Sequence, residues 1–246
     1  MTLVQVRRED HLWWVGLDRP AKHNALDQAM VTELTAVLDE ARREPCVLIV
    51  HSTTPGMFAA GADIAELRER DADAALLAIN AGLFERLEAH RWPTIALVDG
   101  PAFGGGCELA LACDFRIASP GARFAQPELS LGIIAGAGAN WRLPQLVGLA
   151  TARRMLYAGA RLDAGEALAA GLVDEVADSS EDLPERGRAL AATIAERSWR
   201  ALELTKLALR STRPATTTFD LAAQALLFES EDKQARMTAF LERRKR

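Results

Sequence analysis

The chain has 246 residues, of which 49% are hydrophobic and 26% are charged, and its 34 acidic side chains against 29 basic ones give a net charge of −5. This composition is typical of a globular protein whose core is large enough to need no disulfide bonds. The acidic balance argues against a broad basic face for nucleic acid, because such binding depends on neutralising phosphates. We therefore expect no nucleic-acid partner.

Three cysteines, Cys46, Cys107 and Cys113, are too few and too irregularly spaced for a disulfide framework or a zinc site. The four histidines are scattered, without a cysteine or carboxylate at ligand spacing. We therefore expect no bound metal and a reducing, cytoplasmic location. No stretch approaches the ~18 continuous apolar residues of a membrane span, and the first residues lack the apolar core of a secretion signal. The sequence thus predicts a protein that is neither secreted nor inserted in a membrane.

Strands and helices alternate over the first part of the chain. Asp27 is suited to cap a helix in which apolar residues recur at helical spacing from Met30 to Ala41. A loop is predicted at residues 52–61, and further helical segments at residues 63–89. Short apolar runs predict strands at residues 12–17, 46–51, 94–98, 115–118 and 123–125. This alternation predicts an α/β domain whose strands are buried on both faces.

From about Leu183 the pattern changes to helices alone. The predicted helices span residues 183–197, 200–210 and 216–243, and Pro214 separates the last two. We therefore expect an α/β core over residues 1–190 and a helical region over residues 191–246. The last four residues of the chain are all basic and could supply a local positive field.

Two segments combine small residues with a carboxylate. Residues 58–64 are Phe-Ala-Ala-Gly-Ala-Asp-Ile, in which small side chains let a ligand approach the backbone and Asp63 can cap the next helix. Residues 104–108 are Gly-Gly-Gly-Cys-Glu, a turn that leaves N–H groups unpaired at the start of a helix. Together they predict a site for an oxyanion. Neither has the pattern of a phosphate-binding or dinucleotide loop, which weakens kinase and dehydrogenase interpretations.

Two carboxylates accompany these turns. Glu108 ends the glycine turn, and Glu128 follows it beside Pro127. Alone, a Glu in a first helical turn is more often structural, since the helix dipole already favours it. Paired carboxylates in partly apolar surroundings, however, can divide the acid and base roles of a reaction. Their co-occurrence with the two turns favours catalysis.

Residues 58–64 and 95–115 resemble the signature of the enoyl-CoA hydratase/isomerase (crotonase) family. The second segment is Ile-Ala-Leu-Val-Asp-Gly-Pro-Ala-Phe-Gly-Gly-Gly-Cys-Glu-Leu-Ala-Leu-Ala-Cys-Asp-Phe. The resemblance is collinear over nearly the whole chain, because four further segments fit it, at residues 19–26, 126–128, 170–173 and 237–244. It implies an α/β fold, a crotonase-like spiral of repeated ββα units with a C-terminal helical trimerisation region, and a homotrimer or dimer of trimers.

The resemblance also implies roles for single residues. The backbone N–H groups of Ala62 and Gly105 would form the oxyanion hole for an acyl-CoA thioester carbonyl. Glu108 would activate the water that adds at C3 of a trans-2-enoyl-CoA, and Glu128 would protonate C2 to give a 3-hydroxyacyl-CoA. Gly136, expected at a helix start, would help to position Glu128 or the water. Coenzyme A is part of this substrate, so no separate cofactor is implied.

Contacts to the substrate are implied at three places. These are the loop at residues 19–26, the segment after Phe58, and the C-terminal helix of a neighbouring subunit. Lys22, in the loop, could equally be a solvated cation without a ligand, and Phe240, in the C-terminal helix, could equally be a residue packed in the core. The side chains or backbone positions concerned are Lys22, Ala60, Asp63, Ile64, Phe240 and Arg243.

The chain departs from the family pattern at residues 135–141, which are Ala-Gly-Ala-Gly-Ala-Asn-Trp where hydratases commonly have Pro-Gly-Ala-Gly-Gly-Thr-Gln. We expect Trp141 to pack, with an altered acyl pocket as the alternative. Three other functions stay open, of which one is another acyl-CoA lyase of the same family. A double-bond isomerase needs one carboxylate to move a proton between C2 and C4, and a non-catalytic RNA-binding member would need neither, although the scarcity of lysine argues against it.

Overall fold

A computed structural model describes residues 2–210, 225 and 227–243 of the chain. Its strands are β1 (Val4–Glu9), β2 (Leu12–Leu17), β3 (Val47–Ser52), β4 (Thr94–Val98), β5 (Pro101–Phe103), β6 (Phe115–Ala118), β7 (Arg123–Ala125), β8 (Leu162–Asp163) and β9 (Glu175–Val176). Its helices are α1 (Gln28–Ala41), α2 (Ile64–Glu69), α3 (Ala72–Leu76), α4 (Ile79–Glu88), α5 (Gly105–Leu111), α6 (Ala139–Ala158), α7 (Ala164–Ala169), α8 (Leu183–Ala195), α9 (Trp199–Arg210) and α10 (Glu231–Arg243). Two 3₁₀ helices lie at Pro20–Lys22 and Glu128–Leu131.

The strands form two sheets. One has the order β1-β2-β3-β4-β6-β9, and the other has the order β5-β7-β8. In the larger sheet only β1 runs antiparallel to its neighbour among the described strands. The predicted α/β class is thus confirmed. Strand β1 was missed from sequence, because its side chains after Val4 are charged or exposed, as suits an edge strand.

The central strands are buried on both faces, as their continuous apolar runs predict. Successive side chains of a strand point to opposite faces, so adjacent residues of β2 enter different parts of the core. Trp13 packs in the main cluster with α1 and α4, while Trp14 packs in a second cluster with residues of β3, β4 and α8. The two adjacent tryptophans therefore pack on opposite faces of their strand.

Helix starts follow their capping residues. Asp27 accepts a hydrogen bond of 2.8 Å from the Met30 N–H at the start of α1. Asp63 accepts one of 3.0 Å from the Ala65 N–H at the start of α2. Such caps satisfy N–H groups that have no partner inside the helix, and both were expected from sequence.

The C-terminal part differs from the expectation in one respect. The prediction of a single helix over residues 216–243 is wrong. The chain leaves the helical conformation at Glu229 and Ser230, before α10 begins. The Ser230 hydroxyl accepts a bond of 3.2 Å from the Lys233 N–H and donates one of 2.8 Å to the Leu227 carbonyl, which ends one helix and caps the next. Pro214 and the last three residues lie outside the described residues.

Helix α8 covers one face of the large sheet by packing against β3, β4 and β6. The expected boundary between residues 190 and 191 falls inside this helix, and the division into two domains stays a prediction. None of the described helices is long and apolar enough to cross a membrane.

Candidate active site

The small sheet brings the two candidate carboxylates together. Strands β5 and β7 are parallel, with Phe103 opposite Ala125, and the Gly104 N–H continues the ladder with a 2.9 Å bond to the Ala125 carbonyl. Both strands therefore end at the same edge. Beyond that edge β5 leads into α5 with Glu108, and β7 leads into the 3₁₀ helix that begins at Glu128.

Glu108 is held by backbone donors from the turn before α6. Its side chain is buried, and Oε1 accepts hydrogen bonds of 2.8 Å from the Ala137 N–H and 3.1 Å from the Ala139 N–H. Gly136 is not at a helix start as expected, because α6 begins only at Ala139, with Gly138 as its N-cap. The Ala137 and Ala139 N–H groups orient Glu108, and the expected role of Gly136 in positioning Glu128 or the water stays a prediction.

Glu128 is buried near Glu108, and 9% of the residue is exposed. Burial, and then the Glu108 charge, raise the pKa of Glu128 well above its ordinary value of 4.5. When the Gln126 amide is oriented with its nitrogen towards the carboxylate, that nitrogen lies 3.0 and 3.1 Å from the two oxygens. Glu128 is therefore a carboxyl group that keeps its proton at higher pH than an ordinary glutamate.

The backbone segments that carry the Ala62 and Gly105 N–H groups approach each other closely. A Cβ built on Gly105 would lie 3.2 Å from the Ala62 nitrogen, and one on Gly61 would lie 2.8 Å from the Phe103 carbonyl oxygen. Gly61 also has a φ of +107°, which a side chain would disfavour. Within the described part of the chain, neither the Ala62 nor the Gly105 N–H donates a hydrogen bond. Both donors are available to a ligand.

These groups line one cavity of about 100 Å³. Its lining includes both carboxylates and the residues of both unpaired N–H groups, and most of the other lining residues are apolar. A pocket with a few convergent polar groups and a carboxyl group of raised pKa is typical of an active site. The residues that the sequence analysis placed here and that line the cavity are Ala60, Ala62, Ile64, Gly105, Glu108, Glu128 and Gly136.

Four other candidates lie outside this lining. The Asp63 carboxylate caps α2 and pairs with Arg19 at 2.9 Å. Lys22 is exposed in its 3₁₀ helix, and Phe240 and Arg243 are exposed on α10. Helix α10 packs against α2 and the Glu128–Leu131 3₁₀ helix of its own chain. The structure thus does not bring these four side chains to the cavity, and their substrate contacts stay predictions.

Trp141 packs, as expected, and does not line the cavity. The Arg142 guanidinium lies 4.1 Å from the centre of its ring. Cys107 is fully buried, and burial and the neighbouring Glu128 and Glu108 raise the pKa of its thiol, which disfavours the reactive thiolate. Among the described residues there is no cluster of side chains able to hold a metal.

Five residues at or behind the site were not expected from the sequence. Arg19 and Gln126 lie inside segments 19–26 and 126–128, but no local pattern predicts their contacts with Asp63 and Glu128. Three more line the apolar part of the cavity, and no local motif marks them: Arg70, Asn80 and Phe228.

Known proteins match the chain throughout. Residues 7–246 match the family model for enoyl-CoA hydratase/isomerase. The crotonyl-CoA hydratase of Syntrophomonas wolfei is 37% identical over 250 residues, covering 98% of this chain and 96% of that protein. The 2,3-dehydroadipyl-CoA hydratase of Escherichia coli K12 is 38% identical over 249 residues, covering 99% and 97%.

The crystal structure of an enoyl-CoA hydratase from Bacillus anthracis matches with a TM-score of 0.81 and 32% identity, covering 98% of this chain and 97% of that one. This similarity confirms the expected crotonase-like fold. With the family match over nearly the whole sequence, it establishes that the chain is a member of the enoyl-CoA hydratase/isomerase family.

Proposed function

We propose that the protein is an enoyl-CoA hydratase, an enzyme of fatty-acid metabolism that adds water across the double bond of a trans-2-enoyl-CoA. One observation carries the proposal. Two buried carboxylates and two unpaired backbone N–H groups line the same cavity, and burial and the Glu108 charge raise the pKa of the Glu128 carboxyl group. The full-length similarity to hydratases supports the same activity.

The chemistry assigns a part to each group. As water adds at C3, negative charge develops on the thioester oxygen, and the N–H groups of Ala62 and Gly105 stabilise it. Glu108, oriented by the turn before α6, takes a proton from the attacking water. Glu128, which retains its proton through burial and the nearby charge, donates it to C2. Hydration then gives a 3-hydroxyacyl-CoA and needs no cofactor besides the coenzyme A of the substrate.

Substrate contacts outside the cavity are part of the proposal. Lys22 and Asp63 would lie along the coenzyme A of the same subunit, and Phe240 and Arg243 along that of a neighbouring subunit. The exposure of Phe240 and Arg243 on α10 supports this arrangement, since a partner could cover them. We propose a homotrimer or a dimer of trimers in the cytoplasm, which the molar mass in solution would test.

Hydration of crotonyl-CoA tests the proposed function directly, through the loss of enoyl-thioester absorbance. Glu108→Gln and Glu128→Gln should each lower kcat by ~10²–10⁴-fold, as is typical of acid–base groups, with little change in folding. Glu196→Gln is a matched control on an exposed helix end and should leave kcat unchanged. Lack of hydration with short and longer enoyl-CoAs, beside an active reference hydratase, would contradict the proposal.

Activity on a second substrate, a 3-enoyl-CoA, distinguishes a double-bond isomerase from a hydratase. Moving a proton between C2 and C4 needs a single carboxylate, so an isomerase would retain activity on a 3-enoyl-CoA after Glu108→Gln. A hydratase using both groups would lose its activity in either variant. If the protein binds no RNA at low salt, the alternative of a non-catalytic RNA-binding protein is excluded.

A further inference from the structure

The apolar wall of the cavity contains a buried guanidinium. Arg70 follows α2 and lines the cavity together with Leu67, Leu131 and Phe228, which belong to one hydrophobic cluster. Only 14% of the Arg70 side chain is exposed, and burial lowers its pKa from the ordinary value despite the opposing charges of Glu66 and Asp63. A cation among apolar side chains is unfavourable unless it is paired.

The pairing of Arg70 is incomplete. In the described part of the chain the one hydrogen bond of its guanidinium runs from Nη1 to Asn80 Oδ1, at 3.2 Å. Glu66 Oε2 stands 3.6 Å from Nη2 and accepts a bond of 3.1 Å from the Gln28 N–H instead. The guanidinium therefore retains donor capacity.

Asn80 adds a second unused donor at the same place. The residue is 9% exposed, lines the cavity from α4, and its Nδ2 is buried without a hydrogen-bond partner. Its Oδ1 accepts from Arg70, which fixes the amide so that Nδ2 is the donor. An unsatisfied buried donor is rare and unfavourable, so a ligand atom that accepts this bond would relieve it.

Arg70 is also held in place from behind. Lys233 Nζ, on α10, donates a bond of 2.8 Å to the Arg70 carbonyl, and the Glu229 carboxylate accepts one of 2.6 Å from the Ala72 N–H. Gln234 Nε2 donates to the Arg68 carbonyl at 3.1 Å. This anchoring preorganises the backbone on which the guanidinium sits.

We propose that Arg70 and Asn80 bind an oxygen acceptor at the far part of the acyl chain, and that the preferred substrates are enoyl-CoAs whose acyl chain ends in a carboxylate. The guanidinium supplies the charge and the fork geometry that suit a carboxylate, and the amide supplies a further donor. This inference rests on the proposed function for the reaction, since it names the substrate class of the same site.

Binding of unreactive ligands tests the inference apart from catalysis. Saturated acyl-CoAs are compared in pairs of equal length, one ending in a methyl group and the other in a carboxylate, over a short, a medium and a long chain. Coenzyme A is common to both members, so it cancels in each comparison. Calorimetry should show at least about 10-fold tighter binding of the carboxylate at the chain length that reaches Arg70.

Three variants test which residues cause the tighter binding of the acyl-CoA that ends in a carboxylate. Arg70→Met keeps an unbranched apolar side chain but removes the guanidinium, and it should reduce the ratio of the two affinities by about 10-fold or more. Asn80→Leu should reduce the ratio by a smaller factor. Arg68→Met is the matched control, because it removes the same charge two residues away and outside the cavity lining. It should leave the ratio unchanged. Circular dichroism confirms folding of each variant.

The outcomes separate the two proposals. Equal binding of both ligands at every length, or a ratio unchanged by Arg70→Met, would overturn the carboxylate site while hydration of crotonyl-CoA still supported the hydratase. A ratio reduced equally by Arg68→Met would also overturn it, as a general effect of charge. Tight, Arg70-dependent binding without hydration of either enoyl series would support the carboxylate site and contradict the hydratase activity.

Discussion

Glu128 Oε1 lies beside the position that a side chain on Gly104 would occupy. A Cβ built on Gly104 would approach this oxygen to 2.7 Å, and the φ of Gly104 is +52°. The placement of the Glu128 carboxyl group therefore requires a residue without a side chain at position 104. Glycine at this point of the family motif sets the geometry of the site as well as the shape of the turn.

Gly104→Ala tests this requirement. The new methyl group should displace the Glu128 carboxyl group and lower kcat by ~10²-fold, since small displacements of catalytic groups have effects of that order. The strained backbone should lower the free energy of unfolding by ~1 kcal/mol. Gly159→Ala is a matched control, because its φ is +64° and its Cβ would meet nothing within 4 Å. Kinetics should show a loss of kcat in Gly104→Ala alone. Urea unfolding should show the smaller stability loss in Gly159→Ala, because Gly159 is left-handed helical with a ψ of 26°, whereas the ψ of −124° at Gly104 disfavours a side chain more strongly.

The raised pKa of Glu128 predicts how stability depends on pH. The folded protein keeps a proton on Glu128 at pH values where the unfolded chain has released it, so the folded state binds more protons. The free energy of unfolding should therefore fall as pH rises above about 4.5, the ordinary value, towards the folded pKa. Glu128→Gln removes this contribution.

Thermal unfolding of wild type and Glu128→Gln checks that prediction. The variant should be the more stable protein at neutral pH, by roughly 2–4 °C for each kcal/mol gained, and the difference should vanish near pH 4.5. Glu196→Gln, at an exposed position, should show no such trend. A difference between wild type and Glu128→Gln that is constant with pH would contradict the raised pKa.

Two substitutions at Gly105 separate the loss of its N–H donor from the steric effect of an added side chain. Gly105 is the first residue of α5, a position where proline suits the helix because the N–H has no acceptor inside it. Gly105→Pro removes the donor and adds a Cβ, while Gly105→Ala adds the Cβ alone, 3.2 Å from the Ala62 nitrogen. We expect kcat to be ~10²–10³-fold lower for proline than for alanine. Equal kcat values for the two variants would exclude a catalytic role for this N–H.

Features with local causes were predictable from the sequence. Asp27 and Asp63 cap their helices because a cap depends on a residue and the two or three that follow it. Trp13 and Trp14 enter different parts of the core because alternation is a property of any strand. The positions of Glu108 and Glu128 required the family resemblance as well, since their proximity depends on the pairing of β5 with β7.

The apolar part of the cavity was not predictable for the opposite reason. Arg70 and Asn80 meet because the chain folds back between α2 and α4, Phe228 joins them from a distant part of the sequence, and none stands in a recognisable motif. The break at Ser230 was missed because the residues on either side of it both favour a helix, and only a hydroxyl bonded to Leu227 and Lys233 decides between them. Neither feature is visible in periodicity alone.

Arg19 predicts a further effect on stability. Its guanidinium bridges the caps of two helices, with 2.9 Å contacts to both the Asp27 and the Asp63 carboxylates, and it donates to the Ala25 carbonyl. Burial alone would raise the pKa of Asp63, but the Arg19 hydrogen bond and the backbone donors lower it below its ordinary value of 3.8. The stability from this pairing is present above pH 3.8 and is lost as pH falls through the folded pKa.

Arg19→Met should therefore lower the free energy of unfolding by about 1.5–3 kcal/mol at neutral pH, the usual contribution of hydrogen bonds to charged groups, and by less below pH 3.8. Arg86→Met is the matched control. Arg86 pairs with Asp39 at 3.1 Å, but both side chains are more than half exposed, so its loss should change stability by less than about 1 kcal/mol. Urea unfolding across this pH range measures both variants. Equal effects of the two substitutions would mean that the bridge between the helix caps stabilises the protein no more than a surface ion pair does.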